Sequence, residues 1–527
     1  MLDNGFATNS KANERTAVDS FLHKHADKIT GFLRCPDRLI FRGHLPIGYA
    51  QGMDNFLARH NVLLKDFKDF GPEQAERIKE HAHHLADEQQ RPLIPLRRKI
   101  RMEEAAQRLA QQDHVDAGLI CVFSCLETCP SFRIVYGEGR PRLKKEFRRC
   151  LVLYFYFIDP EFGLMHLRLP TWFPMSIQIY INGHEWLARQ LDKHGFKYQR
   201  RDNVFLSLED PKRSQQLADG LLRKKWPRFF DALAKRFQPL MGDLFKGLKY
   251  RWVIAQAEFA TDILFRDRQA LASLYPRLLQ QAVLKFSSHD ILSYFGRKRP
   301  ATCTSEVLTD WKKTPQGHRV KHCHQGNWLK MYDKFGQVLR VEMVINQPYC
   351  FRVRRWGTQQ GQRVFGWLPL IKSVAMLSQY AHVAYQAARR YINGLAVVDD
   401  PQVAQDLLDQ ATSRVSFQGR KRRALNPLSR EDQQLFLAVL RGEHHVRGFR
   451  NRDLATSLHE PSPHHEDDKR RHSARRSRLL QLLRAHGLIA KLPHTRRYRV
   501  TDKGYALMST AIDIRTSTFP AHFADAA

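Results

Sequence analysis

Long apolar runs are missing from this chain. The longest, Leu151 to Ile158, is far short of the ~20 residues that a membrane-crossing helix needs. No span is expected, and the polar first thirty residues give no sign of a signal peptide or lipid anchor. Cysteine is sparse: eight in 527 residues and none after Cys350, which excludes a disulfide scaffold and suits a reducing compartment. Negative charge is in deficit as well. Asp plus Glu number 53 against 86 Lys plus Arg, a formal net charge of +33. Such a field favours polyanions, so nucleic acid is the expected partner, no membrane is involved, and a cytoplasmic, nucleoid-associated setting follows. Core-forming residues are plentiful: 43% of the chain is hydrophobic and 11% aromatic, enough for several domains of ~100–200 residues.

The pattern of periodicities predicts an α+β, multidomain chain in which mixed sheet domains and helices are followed by a C-terminal winged helix-turn-helix. Expected boundaries are a mixed α/β region over 1–115, a sheet domain with basic helices over 116–295, and a hairpin-containing central domain over 296–412 that ends in a helical tether, Trp367–Ala411. A basic linker over 413–428 and the winged helix over 429–520 complete the chain. Glu14–Phe32 reads as a helix, and strands are expected at Leu119–Leu126, Phe132–Tyr136, Cys150–Ile158, Leu164–Leu169 and Ser176–Ile181. Tyr154, Tyr156, Trp172 and Phe173 would stack on nucleobases if they lay on an open sheet face, but strand aromatics are more often core. Cys121, Cys125 and Cys129 are four apart, unlike a zinc knuckle, and read as core thiols.

Chemistry concentrates in two places. Trp252–Phe265 reads as an apolar helix carrying an i,i+4 carboxylate pair, Glu258 and Asp262, which is either a site or salt-bridged to nearby arginines. Further on, Trp328–Lys334, the turn Phe335-Gly336 and Val338–Ile345 form a β-hairpin. Lys330, Tyr332 and Lys334 share one face of its first strand, and Arg340, Glu342 and Val344 share one face of the second. These rows are a salt-bridge ladder or a reactive surface. Gly296–His324 before them reads as basic loop.

Tyr332-Asp333-Lys334 followed by Leu339-Arg340-Val341-Glu342 resembles a strand pair of rolling-circle replication initiators of plasmids and filamentous phages, over fewer than twenty residues. The resemblance implies a tyrosine attacking a DNA phosphate beside a divalent metal, Mg or Mn. Tyr332, Asp333, Lys334 and Glu342 become catalytic candidates, and His322-Cys323-His324 offers a His-hydrophobe-His metal pair, His322 and His324. In those initiators, however, the tyrosine usually lies on a helix well after the histidines. A second route combines Asp333 or Glu342 with Glu258 and Asp262 as metal ligands. Around Gly43–Pro46, Asn182–Trp186, Tyr332–Lys334 and Gly448–Asp453 the chain also resembles a dispersed group of uncharacterised bacterial proteins with a C-terminal winged helix, which implies a bacterial mobile element.

In the last hundred residues Ser429-Arg430-Glu431-Asp432 opens a helix, Asn451 caps a second through Leu458, and a third runs from about Arg471 to His486. A hairpin with a basic wing, Pro493–Arg497, and a closing helix after Thr501 follow. Arg475, Arg476 and Arg478 on the third helix and Arg496 and Arg497 in the wing are the expected DNA contacts, and Arg420, Lys421, Arg422 and Arg423 form a flexible phosphate-binding arm or a plain solvated linker. The expected function is a DNA-binding protein that processes or replicates DNA for a mobile element. The alternatives are a non-enzymatic DNA-binding transcriptional regulator and a structured-RNA-binding partner protein.

Overall fold

The computed structural model describes residues 21–520 apart from 98–99, 137–140, 297–306, 316, 397, 399–407, 442–447, 456, 459–464, 494 and 519. The chain divides into two compact units, Met1–Val398 and Asp399–Ala527. Both α-helix and β-sheet contribute heavily. Among the described residues no helix is long and apolar enough to cross a membrane.

The first unit is built on one sheet of eleven strands. In chain order its strands are β1 (Ile29–His44), β2 (Leu93–Pro95), β3 (Gly118–Val135), β4 (Arg142–Asp159), β5 (Gly163–Pro170) and β6 (Gln178–Asn182). A separate hairpin, β7 (Tyr198–Arg201) and β8 (Val204–Leu208), precedes β9 (Arg251–Phe265), β10 (Leu308–Thr314), β11 (Gly317–His324), β12 (Asn327–Lys334) and β13 (Val338–Ile345). The order across the sheet is β10-β11-β12-β13-β9-β1-β6-β5-β4-β3-β2, and only the short β2 pairs in parallel. A second free hairpin joins β14 (Arg352–Gln359) to β15 (Gln362–Pro369).

The spine is the long antiparallel pair β1–β9, which runs from Ile29 opposite Phe265 to His44 opposite Arg251 and is broken by a bulge between Pro36 and Leu39. Strand alternation sends Leu39, Phe41, Ala257, Phe259, Leu339, Val341 and Met343 to one face, where all are buried. Of the helices, α1 (Phe67–Glu88), α2 (Met102–Gln112), α3 (Gly183–Lys193), α4 (Pro211–Gly220), α5 (Trp226–Phe237) and α6 (Leu377–Leu395) matter most here. On the apolar face Phe41 stacks on Trp226 of α5 at 5.3 Å, and Phe259 meets Tyr385 of α6 edge-on at 5.7 Å. On the other face α2 seals a small core with Cys121, Phe123 and Tyr156, its Glu103 accepting from the Tyr180 hydroxyl at 3.3 Å.

Several expectations change. The stretches 1–115, 116–295 and 296–412 all supply strands to the one sheet. Residues 29–32, expected to end a helix, begin β1, and Glu14–Ser20 lie outside the described residues. The two strands expected between Leu119 and Tyr136 are one, β3. Trp252–Phe265 is the strand β9, because its β-branched and aromatic residues are buried on both faces of a central strand. The basic Gly296–His324 segment contains β10 and β11. The supposed tether holds α6, which packs its alanines and tyrosines onto β9 and β13. Tyr156 and Phe173 are buried, and Tyr154 donates to Glu127 at 2.6 Å, so this sheet half presents core rather than stacking platforms.

In the second unit helical residues 408–412 precede a hairpin, β16 (Val415–Phe417) and β17 (Arg420–Arg422), where a flexible arm or a plain solvated linker was expected. Helix α7 (Arg430–Val439), capped by Ser429, a 3-10 turn at Asn451–Leu454, helix α8 (Glu466–Ala485), the hairpin β18 (Ile489–Lys491) and β19 (Tyr498–Val500), and helix α9 (Asp502–Asp513), capped by Thr501, follow. Leu435, Phe436, Leu454, Leu480, Leu483, Ile489 and Met508 close its core. Asn451 caps nothing; it ties α8 through Ser473, Ser477 and Arg476. Part of the acidic loop expected before α8 is that helix's first turn, so its arginines lie mid-helix.

Candidate functional site

On the face of the sheet opposite α6, β9, β13 and β12 carry charge where a core would be apolar. The register sets Arg340 against Asp262, Glu342 against Ala260 and Val344 against Glu258, with Lys330 against Glu342 and Tyr332 against Arg340. Glu258 and Asp262 share this face although β9 is not a helix, because four residues is a spacing at which helical and strand periodicities agree. β1 adds Asp37 from its bulge.

One half of the cluster is locked. Arg340 has no exposed surface. It donates from Nε to Asp262 Oδ1 at 2.7 Å and from Nη2 to Asp262 Oδ2 at 2.8 Å and the Asn203 carbonyl at 2.7 Å. Its Nη2 is also 3.1 Å from His184 Nε2, and its Nη1 is 3.5 Å from Asp37 Oδ2. His184 completes the ring from the first turn of α3, its Nδ1 3.1 Å from Asp37 Oδ1. Burial alone would push the Asp262 carboxyl up, but the Arg340 guanidinium and His184 outweigh it and hold it below the usual range. A two-pronged, fully desolvated pair of this kind costs about 3–5 kcal/mol to break by removing one partner. Asp262 is therefore a structural anchor and not an available metal ligand.

The other half sets Glu258 and Glu342 against a single lysine, with Asp37, which His184 and Arg340 hold ionised, at its border. One oxygen each of Asp37, Glu258 and Glu342 lies within 4.8 Å of the others. Lys330 sits between two of them, its Nζ 3.3 Å from Glu258 Oε2 and hydrogen-bonded to Glu342. Burial and the Glu342 carboxylate push Glu258 up to about 8. Lys330 is raised despite its burial, because Glu342 and Glu258 hold its proton. Burial, with Glu342 next, also raises the Tyr332 phenol, which keeps its proton. Lys334 lies 4.7 Å from the centroid of the Tyr332 ring, its pKa lowered by burial and by Arg340. Oxygens around one cation at 2.3–2.6 Å are separated by up to ~5 Å, and around magnesium at ~2.1 Å by up to ~4 Å. The triad thus fits a divalent cation, with a small inward movement for magnesium.

Tyr332, Lys334, Glu342, Glu258 and Asp262 do converge on one face. Asp333, His322 and His324 do not, for they stand at odd steps along their strands and point to the helix side. His322 is held between Thr309 Oγ1 at 2.9 Å and the Tyr391 hydroxyl at 3.1 Å. His324 packs on Phe295. Asp333 accepts from the Gly336 amide at 2.9 Å and closes the hairpin turn. Asp37, His184, Lys330 and Arg340 were missed as site residues, although Lys330 and Arg340 stood in the alternating rows of the hairpin.

In the second unit Arg475, Arg478 and Arg496 are exposed, Arg475 with its Nη2 3.8 Å from Glu431 Oε1, as are Arg420 and Lys421 on β17. Other expected contacts are occupied. Arg476 is buried and donates to Asn451 Oδ1 at 2.8 Å. Arg497 donates to the Gly448 carbonyl at 3.0 Å, Arg422 to Gln481 at 2.8 Å, and Arg423 grips both oxygens of Asp432, at 2.6 and 3.0 Å. These side chains hold the unit together.

No family model, curated protein or solved structure matches this chain.

Proposed function

We propose that the protein binds DNA and carries out divalent-cation-dependent phosphodiester chemistry on it, as a DNA-processing or replication protein of a mobile element. The observation that carries this reading is the carboxylate triad Asp37, Glu258 and Glu342, with Tyr332 and Lys330 on the same face of the sheet. The order of elements and the exposed arginines of the second unit support a winged helix that delivers duplex DNA. A cation held by the triad would neutralise the scissile phosphate and align the attacking and leaving oxygens. The chain's own contribution is positional: the ring of Arg340, Asp262, His184 and Asn203 fixes Asp37 beside Glu258 and Glu342. Tyr332 is the candidate nucleophile, its hydroxyl oxygen bonding to phosphorus as the in-line P–O bond breaks and its proton passing to a carboxylate of the cluster.

Supercoiled plasmid incubated with the full chain and Mg²⁺ or Mn²⁺ is expected to be nicked, at least about 100-fold more slowly by Glu342→Gln or Glu258→Gln. Manganese binding by calorimetry should weaken in the same variants. Tyr332→Phe is expected to abolish a covalent protein–DNA adduct; cutting that continues without one assigns the attack to water. The Lys330 bridge favours a second reading, in which the cluster is an ion-pair ladder in a non-enzymatic regulator. Plasmid retarded but uncut under every cation tried, with no manganese bound, would select it.

A further inference from the structure

The hairpin β14–β15 stands outside the eleven-stranded sheet and has an unusual face. Its register sets Trp356 against Phe365 and Arg354 against Trp367. Arg354, Trp356, Phe365 and Trp367 therefore share one side. The three rings are 57%, 51% and 63% exposed, where aromatics of this size normally seek cover. Arginines lie over them: Arg363 is 4.9 Å from the Trp356 centroid and Arg354 is 5.3 Å from that of Phe365. No acidic residue occurs anywhere between Glu342 and Asp399.

A second feature adjoins its root. Tyr349 and Lys372, which flank the two ends of the hairpin, line a concavity of about 290 Å³ together with His44, Tyr49, Lys249 and Arg251. Three cationic side chains, Lys249, Arg251 and Lys372, and no carboxylate line it. Burial, with Arg42 and Arg251 next, pushes His44 down to about 4, so the imidazole stays neutral there.

We propose that the aromatic face of β14–β15 is a binding platform for single-stranded DNA, with the concavity at its root taking a backbone phosphate. Exposed rings interleaved with arginine are poor readers of paired base edges, but every unpaired base has a face to stack on them, and the arginines and the lysine-lined concavity track the phosphates. A protein partner would need an acidic surface to match these arginines, whereas nucleic acid brings its own phosphates and stacking faces together. The platform stands whether or not the carboxylate cluster cuts DNA, and a duplex of equal length distinguishes it from duplex binding by the second unit.

The test is fluorescence anisotropy with labelled twenty-nucleotide oligo(dT), a duplex of equal length and oligo(rU), using the full chain. The triple variant Trp356→Ala, Phe365→Ala, Trp367→Ala is expected to bind oligo(dT) about 30-fold more weakly, with duplex affinity changed less than about threefold. Lys249→Ala with Lys372→Ala should reduce the salt dependence of oligo(dT) binding by about 0.7 in slope for each lost phosphate contact. The wild-type chain gives a reading that needs no alanine variant: oligo(dT) should quench tryptophan fluorescence, and Trp356→Phe with Trp367→Phe should remove that quenching while retaining binding. Unchanged oligo(dT) affinity, equal loss on duplex, absence of quenching, or tighter binding of oligo(rU) than oligo(dT) would each overturn the proposal.

Discussion

His322 lies one residue from a face of charged chemistry and belongs to the opposite one. Alternation along β11 turns it into the apolar side, where it has no exposed surface and burial pushes its pKa down to about 4. An unfolded histidine titrates near ~6.5, so between the two values the unfolded chain takes up a proton that the folded chain refuses. Stability therefore falls as pH drops below about 6.5, by ~1.4 kcal/mol per unit, and the loss levels off near pH 4. His322→Gln should diminish the pH 7 to pH 5 decline in thermal stability of the full chain by about 2 kcal/mol; an undiminished decline would show that the imidazole is protonated in the fold. Tyr332 and Glu342 were legible in the alternating rows of the hairpin, and Glu258 with Asp262 as a four-residue pair that helix and strand alike put on one side, but no spacing announced that the two sets meet. Asp37 and His184 were not, since they meet across 147 positions of sequence and Asp37 reaches the site through a bulge that no local pattern announces.

At the scale of elements, β1 and α3 meet at a close joint. A methyl group on Gly183 would lie 2.0 Å from the Pro36 carbonyl oxygen, so only glycine lets α3 start against the bulge and bring His184 to Asp37. Gly183→Ala is expected to cost about 1–3 kcal/mol in thermal unfolding, while Gly48→Ala, whose methyl meets nothing within 4 Å, should leave the melting temperature unchanged and serves as the comparison. The hairpin β12–β13 was readable from its glycine turn and alternating residues. β9 has the sequence of a helix because a strand buried on both faces has no period-two contrast to display. β10 has the sequence of a loop because it is an edge strand, exposed almost throughout and carrying Lys312 and Lys313, charges that deter further pairing and also erase the strand signature.

The molecule as a whole carries its excess charge in two units with separate cores. In the second, caps and glycine stops read within a few residues anticipated α7, α8, the hairpin β18–β19 and α9, but not the hairpin β16–β17 or the 3-10 turn at Asn451–Leu454; in the first, one sheet gathers strands from positions 29 to 345, a pairing that no window of sequence contains. The exposed arginines Arg475, Arg478 and Arg496 are expected to act as phosphate contacts on duplex DNA. Replacing all three by alanine should lower the slope of log affinity against log salt by about 2.7, whereas Arg423→Ala, which frees Asp432 from its ion pair, should lower stability and leave that slope alone. Strand β13 has a further consequence. Since Leu339, Val341 and Met343 fill the core while Arg340 and Glu342 build the charged cluster, inserting a single codon within it would exchange the two sets, sending carboxylate into oil and leucine into the ion network. The surface loops are free to lengthen over evolutionary time, but this strand has a reading frame of its own, and only changes that preserve its parity are open to it.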